Sequence, residues 1–219
     1  MLIHRIIRSR RRSIGLMINT KAELIVRAPH WTPIHEIERI VRSKQDWIVK
    51  KQDYFHRNKP ETKQFVEGEE FLFLGNLFPL RIVDDSSKTI ALDSALRIPR
   101  SMLQNPLKPI RAWYMDQALE YLYQRVEHYA HMTSLNYKTI KVNNARTRWG
   151  SCSAKGSLNF SWRLIMAPPR VLDYVVIHEL MHLKQANHSR KFWAEVKSLV
   201  PDYKTDEQWL KTNSHRLHV

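Results

Sequence analysis

Five residues, His178-Glu179-Leu180-Met181-His182, restrict this 219-residue chain more than any other feature. Histidines four apart lie one above the other on a helix, with Cβ atoms ~6 Å apart, so both imidazoles can converge on one metal ion. The preceding segment is suited to that helix. Pro168-Pro169 stop a strand and open a helix, because proline in the first turn forfeits no intrahelical bond. Asp173 stands near the positive end of the helix dipole. Leu172, Val176, Leu180 and Leu183 form a stripe for burial and leave His178 and His182 on another side. Two buried imidazoles without a metal would each need a different polar partner. Glu179 lies about 100° around the helix from His178. It need not bind the metal and is placed to act as a base on water, the arrangement of metal-assisted hydrolysis.

A catalytic zinc site takes three protein ligands and keeps one position open. His188 is the first choice for the third. The helix is expected to end near Ala186-Asn187, where Asn tolerates the left-handed conformation. Ser189 can then cap a following helix carrying Phe192, Trp193, Val196 and Leu199. His188 would sit at the reversal, with its ring free to swing back to the metal. Glu195 and Glu207 are the carboxylate alternatives. Zn²⁺ is the expected ion, and the same imidazoles suit Ni²⁺ or another divalent metal.

Elsewhere the pattern alternates between sheet and helix. Ile3, Ile6 and Ile7, then Ile14, Leu16 and Ile18, then Leu24-Ile25-Val26 read as strands. Thr32 as N-cap and Pro33 at the first position open one amphipathic basic helix through Ile34, Ile37, Ile40, Val41, Ile48 and Phe55. Phe71–Leu74 and Leu77-Phe78 flank Gly75-Asn76 as a hairpin, and one or two short strands follow between Thr89 and Pro99. Met115, Leu119, Leu122, Val126 and Tyr129 define a long helix from Pro109 to about His131. Strand signals return from Thr139 to Ile165, with Leu158, Phe160, Trp162 and Leu164 alternating after a Lys155-Gly156 turn. The fold class is α+β. The boundary is expected near Asn105-Pro106, which divides a β-rich basic N-terminal region (1–105) from the part that carries the metal motif (106–219).

Composition removes several classes. With 43% hydrophobic residues the chain is not disordered. No stretch approaches the ~20 apolar residues of a membrane-spanning helix, so no membrane contact is expected. The five arginines before residue 13 precede no apolar run of a secretory signal. Cys152 is the single cysteine and cannot form an internal disulfide, so a reducing, cytoplasmic setting is expected. It reads as a packing residue. The net charge is +15, with 14 Lys+Arg against 5 Asp+Glu in residues 1–60. That basic N-terminal region is a candidate nucleic-acid contact, and the charge would also draw an anionic nucleotide. No motif speaks to oligomeric state.

The spacing His182-x5-His188 equals that of the metzincin motif, but Gln185 stands where metzincins have Gly and no Met-turn is visible. A longer match covers Arg148-Trp149-Gly150-Ser151-Cys152-Ser153, Asn159-Phe160-Ser161-Trp162-Arg163-Leu164, Ala167-Pro168-Pro169, Asp173 through His182, and Asn187-His188-Ser189 with Phe192-Trp193. Together these resemble the YgjP-like family of zinc metallohydrolases, related to the SprT and WLM metallopeptidase groups. The match is densest over residues 140–195. The resemblance implies a zincin-like, minigluzincin-like domain, with His178, His182 and His188 as metal ligands and Glu179 as base.

Three functions are weighed. The first is a zinc metallopeptidase, with the strand Leu158–Ile165 pairing to an extended peptide substrate. The second is a metal-dependent hydrolase of a nucleoside triphosphate. The third is a nucleic-acid-associated module with a structural metal, which is weakened because such sites usually have four protein ligands, often cysteines. For stabilising developing negative charge, Arg148 leads Arg146, Arg163 and Tyr174. Trp149 is the candidate cleft wall, and His128 and His131 read as surface residues.

Overall fold

Apolar alternation produces three small sheets and helical periodicity produces six α-helices in a computed structural model that describes residues 3–19, 21–58, 62–84 and 89–219. The chain divides into two compact units, 1–61 and 62–219.

In the first unit, β1 (Arg5–Ser9) runs parallel to β3 (Leu24–Pro29), and β2 (Gly15–Ile18) pairs antiparallel on the other side of β3. Helices α1 (Ile34–Ser43) and α2 (Gln45–Arg57) follow. The sequence predicts one helix here, but Lys44, at φ −112° and ψ 17°, leaves the helical region and breaks it. Pro33, not Thr32, is the N-cap, and the buried Thr32 instead offers its carbonyl to the Arg8 guanidinium. Ile18, Leu24, Val26, Ala28, Ile37, Val41 and Ile48 form a small core.

The second unit opens with β4 (Glu70–Phe73), β5 (Asn76–Val83), β6 (Ala91–Leu92) and β7 (Leu96–Pro99), ordered β4-β5-β7-β6. The unit break falls at 61/62, not near Asn105-Pro106, for a packing reason. Phe71, Leu80, Leu96 and Ile98 share one core with Ile110, Tyr114 and Leu122 of α3 (Leu107–Thr133), and the Tyr114 hydroxyl donates to the Leu72 carbonyl at 2.7 Å. The hairpin turn uses Leu74 and Gly75, both at positive φ, rather than Gly75-Asn76. Two successive left-handed residues match the twist of a tight hairpin.

The second sheet of this unit contains β8 (Thr139–Asn143), β9 (Gly150–Cys152) and β10 (Ser157–Ser161), ordered β8-β10-β9. The predicted alternation through Leu164 stops at Ser161. Trp162–Met166 winds into a 3-10 helix whose five side chains are all buried, and the Ile165 and Met166 carbonyls accept from Leu74 and Gly75. Because β10 has a neighbour on each side, Leu158–Ile165 cannot add a further strand. The outer strand beside the site is β9.

Helix α4 (Pro169–Met181) packs against α3, β9, α5 (Arg190–Leu199) and α6 (Tyr203–Asn213). Its buried residues lie on most of its circumference, as befits a central helix. Arg125 of α3 grips Asp173 through two hydrogen bonds of 2.6 and 2.9 Å and so fixes the first turns of α4. Among the described residues, no helix is long and apolar enough to cross a membrane.

Candidate metal centre

Helix α4 ends at Met181, five residues before the expected stop, yet His182 remains in right-handed helical geometry at φ −64° and ψ −18°. The stacking of His178 beneath His182 therefore survives the early end. The N–H groups of Leu183, Lys184 and Gln185 fold back onto the Leu180 and Met181 carbonyls and close the turn. Ser189 then caps α5, its hydroxyl accepting from the Phe192 N–H at 3.4 Å. This reversal carries His188 back over the end of α4.

One nitrogen each from His178, His182 and His188 lies within 4.8 Å of the other two. Nε2 of His178 and Nε2 of His188 are 3.0 Å apart. His182 Nδ1 is 3.1 Å from the Gln185 carbonyl, and a proton there donates to that oxygen and leaves Nε2 as a lone-pair donor. Burial, with the neighbouring imidazoles adding to it, holds His178 down at about 4, and His188 is also lowered. These imidazoles are therefore neutral at pH 7, the form that binds a metal. Convergent neutral nitrogens with no thiolate fit a borderline divalent cation. Glu195 and Glu207 lie instead against Lys184 and Lys211.

Aromatic rings wall the cluster. His182 stacks on Phe192 at 4.6 Å, His188 stacks on Trp193 at 5.6 Å, and Trp193 stacks in turn on Tyr203. The buried Tyr174 meets the His178 ring edge-on at 6.0 Å. These contacts limit how far each imidazole can rotate.

Glu179 is 5% exposed and rests on β9. A Cβ built on Gly150 would lie 2.5 Å from its Oε1, so any larger residue there would displace the carboxylate. Burial pushes the Glu179 carboxyl up to about 7, opposed by the Cys152 backbone N–H and the Arg148 charge. Arg148, exposed in the loop before β9, thus reaches Glu179 through its field, whereas Arg146 interacts electrostatically with Arg163. Cys152 is half-buried, and its thiol is raised by burial and by Glu179. Trp149 packs on the core, and His128 and His131 are exposed on α3. Sequence reasoning did not single out Gly150 or the Gln185 carbonyl, and it placed Trp193 on the helix after Ser189 without setting it against the face of His188. A glycine inside a strand signal was the available clue to a close approach.

A family model described as "YgjP-like, metallopeptidase domain" matches residues 12–213. The chain belongs to the YgjP-like family. This YgjP-like protein is accordingly a member of a metallopeptidase family, which supports a metal-dependent hydrolase. Among solved structures, it is similar to the metallopeptidase zymogen abylysin of Pyrococcus abyssi, at 24% identity over 45% of this chain and 99% of that one, with a TM-score of 0.40. It is also similar to the zymogen jannalysin of Methanocaldococcus jannaschii, at 23% identity over 41% of this chain and 91% of that one, with a TM-score of 0.36. No curated protein matches the chain.

Proposed function

We propose that this YgjP-like protein is a zinc metallopeptidase with a zincin-like, minigluzincin-like catalytic unit. The observation that carries the reading is the convergence of three imidazoles at the end of α4, the helix that also carries the buried Glu179 carboxyl. In this reading His178, His182 and His188 hold the zinc. When bound, zinc supplies Lewis-acid chemistry, acidifying water and polarising a carbonyl.

The remaining steps belong to the protein. Glu179, raised by burial to about 7, is poised to take a proton from water near neutral pH and to return it to the leaving nitrogen. Arg148 provides positive charge for the developing oxyanion. The outer edge of β9 can add an extended peptide as a further strand beside Glu179. Cys152 is a free thiol, in keeping with work in a reducing, cytoplasmic compartment.

Zinc-loaded protein offered unstructured peptides and, in parallel, nucleoside triphosphates tests the proposal. Cleavage of peptides that disappears in Glu179→Gln is the expected result. Turnover confined to the nucleotide panel would replace the peptidase reading with the phosphoanhydride one. Zinc bound without turnover on either panel would favour the structural-metal reading.

A further inference from the structure

Among the described residues, no carboxylate neutralises one cation that the second unit buries. Arg163, in the 3-10 helix after β10, is 3% exposed and lies with its guanidinium 4.5 Å over the Trp162 ring. Its Nη1 donates to the Ala145 carbonyl at 3.3 Å, but its buried Nε has no partner. Arg146, next in the chain to that carbonyl, is exposed, and Arg111 reaches the same region from α3, which packs on the 3-10 helix. The Nε of Arg111 is also buried without a partner. Burial, followed by the charges of Arg146 and Arg111, pushes Arg163 down to about 10. The half-buried His218 is held at about 4 by burial and then by Arg163, Arg146 and His215, so it stays neutral. Elsewhere in the unit, Arg125 and Arg170 are matched by Asp173 and Asp206.

A buried guanidinium repelled by two others, with unused buried N–H donors on Arg163 and Arg111, calls for an anion. Guanidinium forks match the paired oxygens of a carboxylate or phosphate. We propose that Arg111, Arg146 and Arg163 form an oxyanion-binding site separate from the histidine cluster. The Cα of Arg146 lies four residues from that of Gly150, at most ~14 Å away along the chain. A ligand held at Glu179 could therefore place a carboxylate or phosphate group in this site. The proposal does not depend on which bond the metal centre hydrolyses.

Inorganic phosphate is titrated calorimetrically into the full chain at constant ionic strength, zinc-loaded and metal-free in parallel. Saturable binding in both forms, weakened about tenfold by Arg146→Met, is the expected result. Arg146 is exposed, so this variant avoids the folding risk of replacing Arg163. Binding that vanishes with the metal, that Arg146→Met leaves unchanged, or that never saturates would overturn the site. A second titration compares one peptide as its C-terminal carboxylate and as its amide. Tighter binding of the acid, with the advantage removed by Arg146→Met, assigns the site to a substrate carboxylate. Equal binding of both, with phosphate still saturating, assigns it to phosphate.

Discussion

Residues 1–61 and 62–219 bury different kinds of side chain. The first unit closes around aliphatic residues, and Thr32 is its buried polar side chain among the described residues. The second buries a far larger apolar set and, within it, Glu179, Arg163 and Asp206. A small unit hides a smaller fraction of its surface and has little interior in which to keep a charge out of water. The larger unit can desolvate a carboxyl enough to carry it to about 7, where a general base is useful. Size thus separates a unit in which, among the described residues, no charged residue is buried from one whose buried ionisable groups are tuned.

The sharpest way to break this contrast is Gly150→Ala. A methyl group 2.5 Å from Glu179 Oε1 must move the carboxyl or the edge strand. Peptide turnover should fall about 100-fold while far-ultraviolet circular dichroism and zinc content remain those of the parent. Unchanged turnover would mean that the seating of Glu179 on β9 does not matter.

A smaller effect is expected on stability. Asp173→Asn removes the partly buried partner of Arg125 and should cost about 1–2 kcal/mol in the second unit. Amide exchange in α3 and α4 would speed up, while exchange in β3 should not change. A uniform change across both units would erase the distinction.

Acid should sharpen the contrast further. His218 titrates at about 4 in the fold, below the 6.5 of a free histidine. Between those values the unfolded chain binds a proton that the native one refuses, so stability is full above 6.5 and falls as pH drops toward 4. Urea titrations of the second unit at stepped pH should show this loss, and His218→Gln should reduce it, leaving the share of His178, which is also held at about 4. The smallest effect belongs to the first unit. Trp31, 71% exposed, should tolerate Trp31→Ser within about 0.5 kcal/mol by urea unfolding.

The legible features were those with short-range causes. Helical spacing placed His178 and His182 together, and the Ser189 cap signal put His188 at a reversal that returns it to them. Long-range packing was not legible. The role of Gly150 depends on its pairing with Phe160 and on how α4 lies over β9, neither of which a local pattern encodes. The placement of Phe71 and Leu80 depends on a core completed by α3 much later in the chain, which is why the boundary was expected too late. Alternation through Trp162 and Leu164 looked like continued strand because a fully buried 3-10 segment is as apolar as a strand.

The central claim is that a buried Glu179 acts as the base beside a three-histidine metal site. The most direct measurement is single-turnover peptide hydrolysis by metal-replete Glu179→Gln, with zinc content determined on the same sample. The account predicts full zinc occupancy and a rate reduced by about 100-fold or more. A variant that binds zinc and cleaves at the parental rate would contradict it.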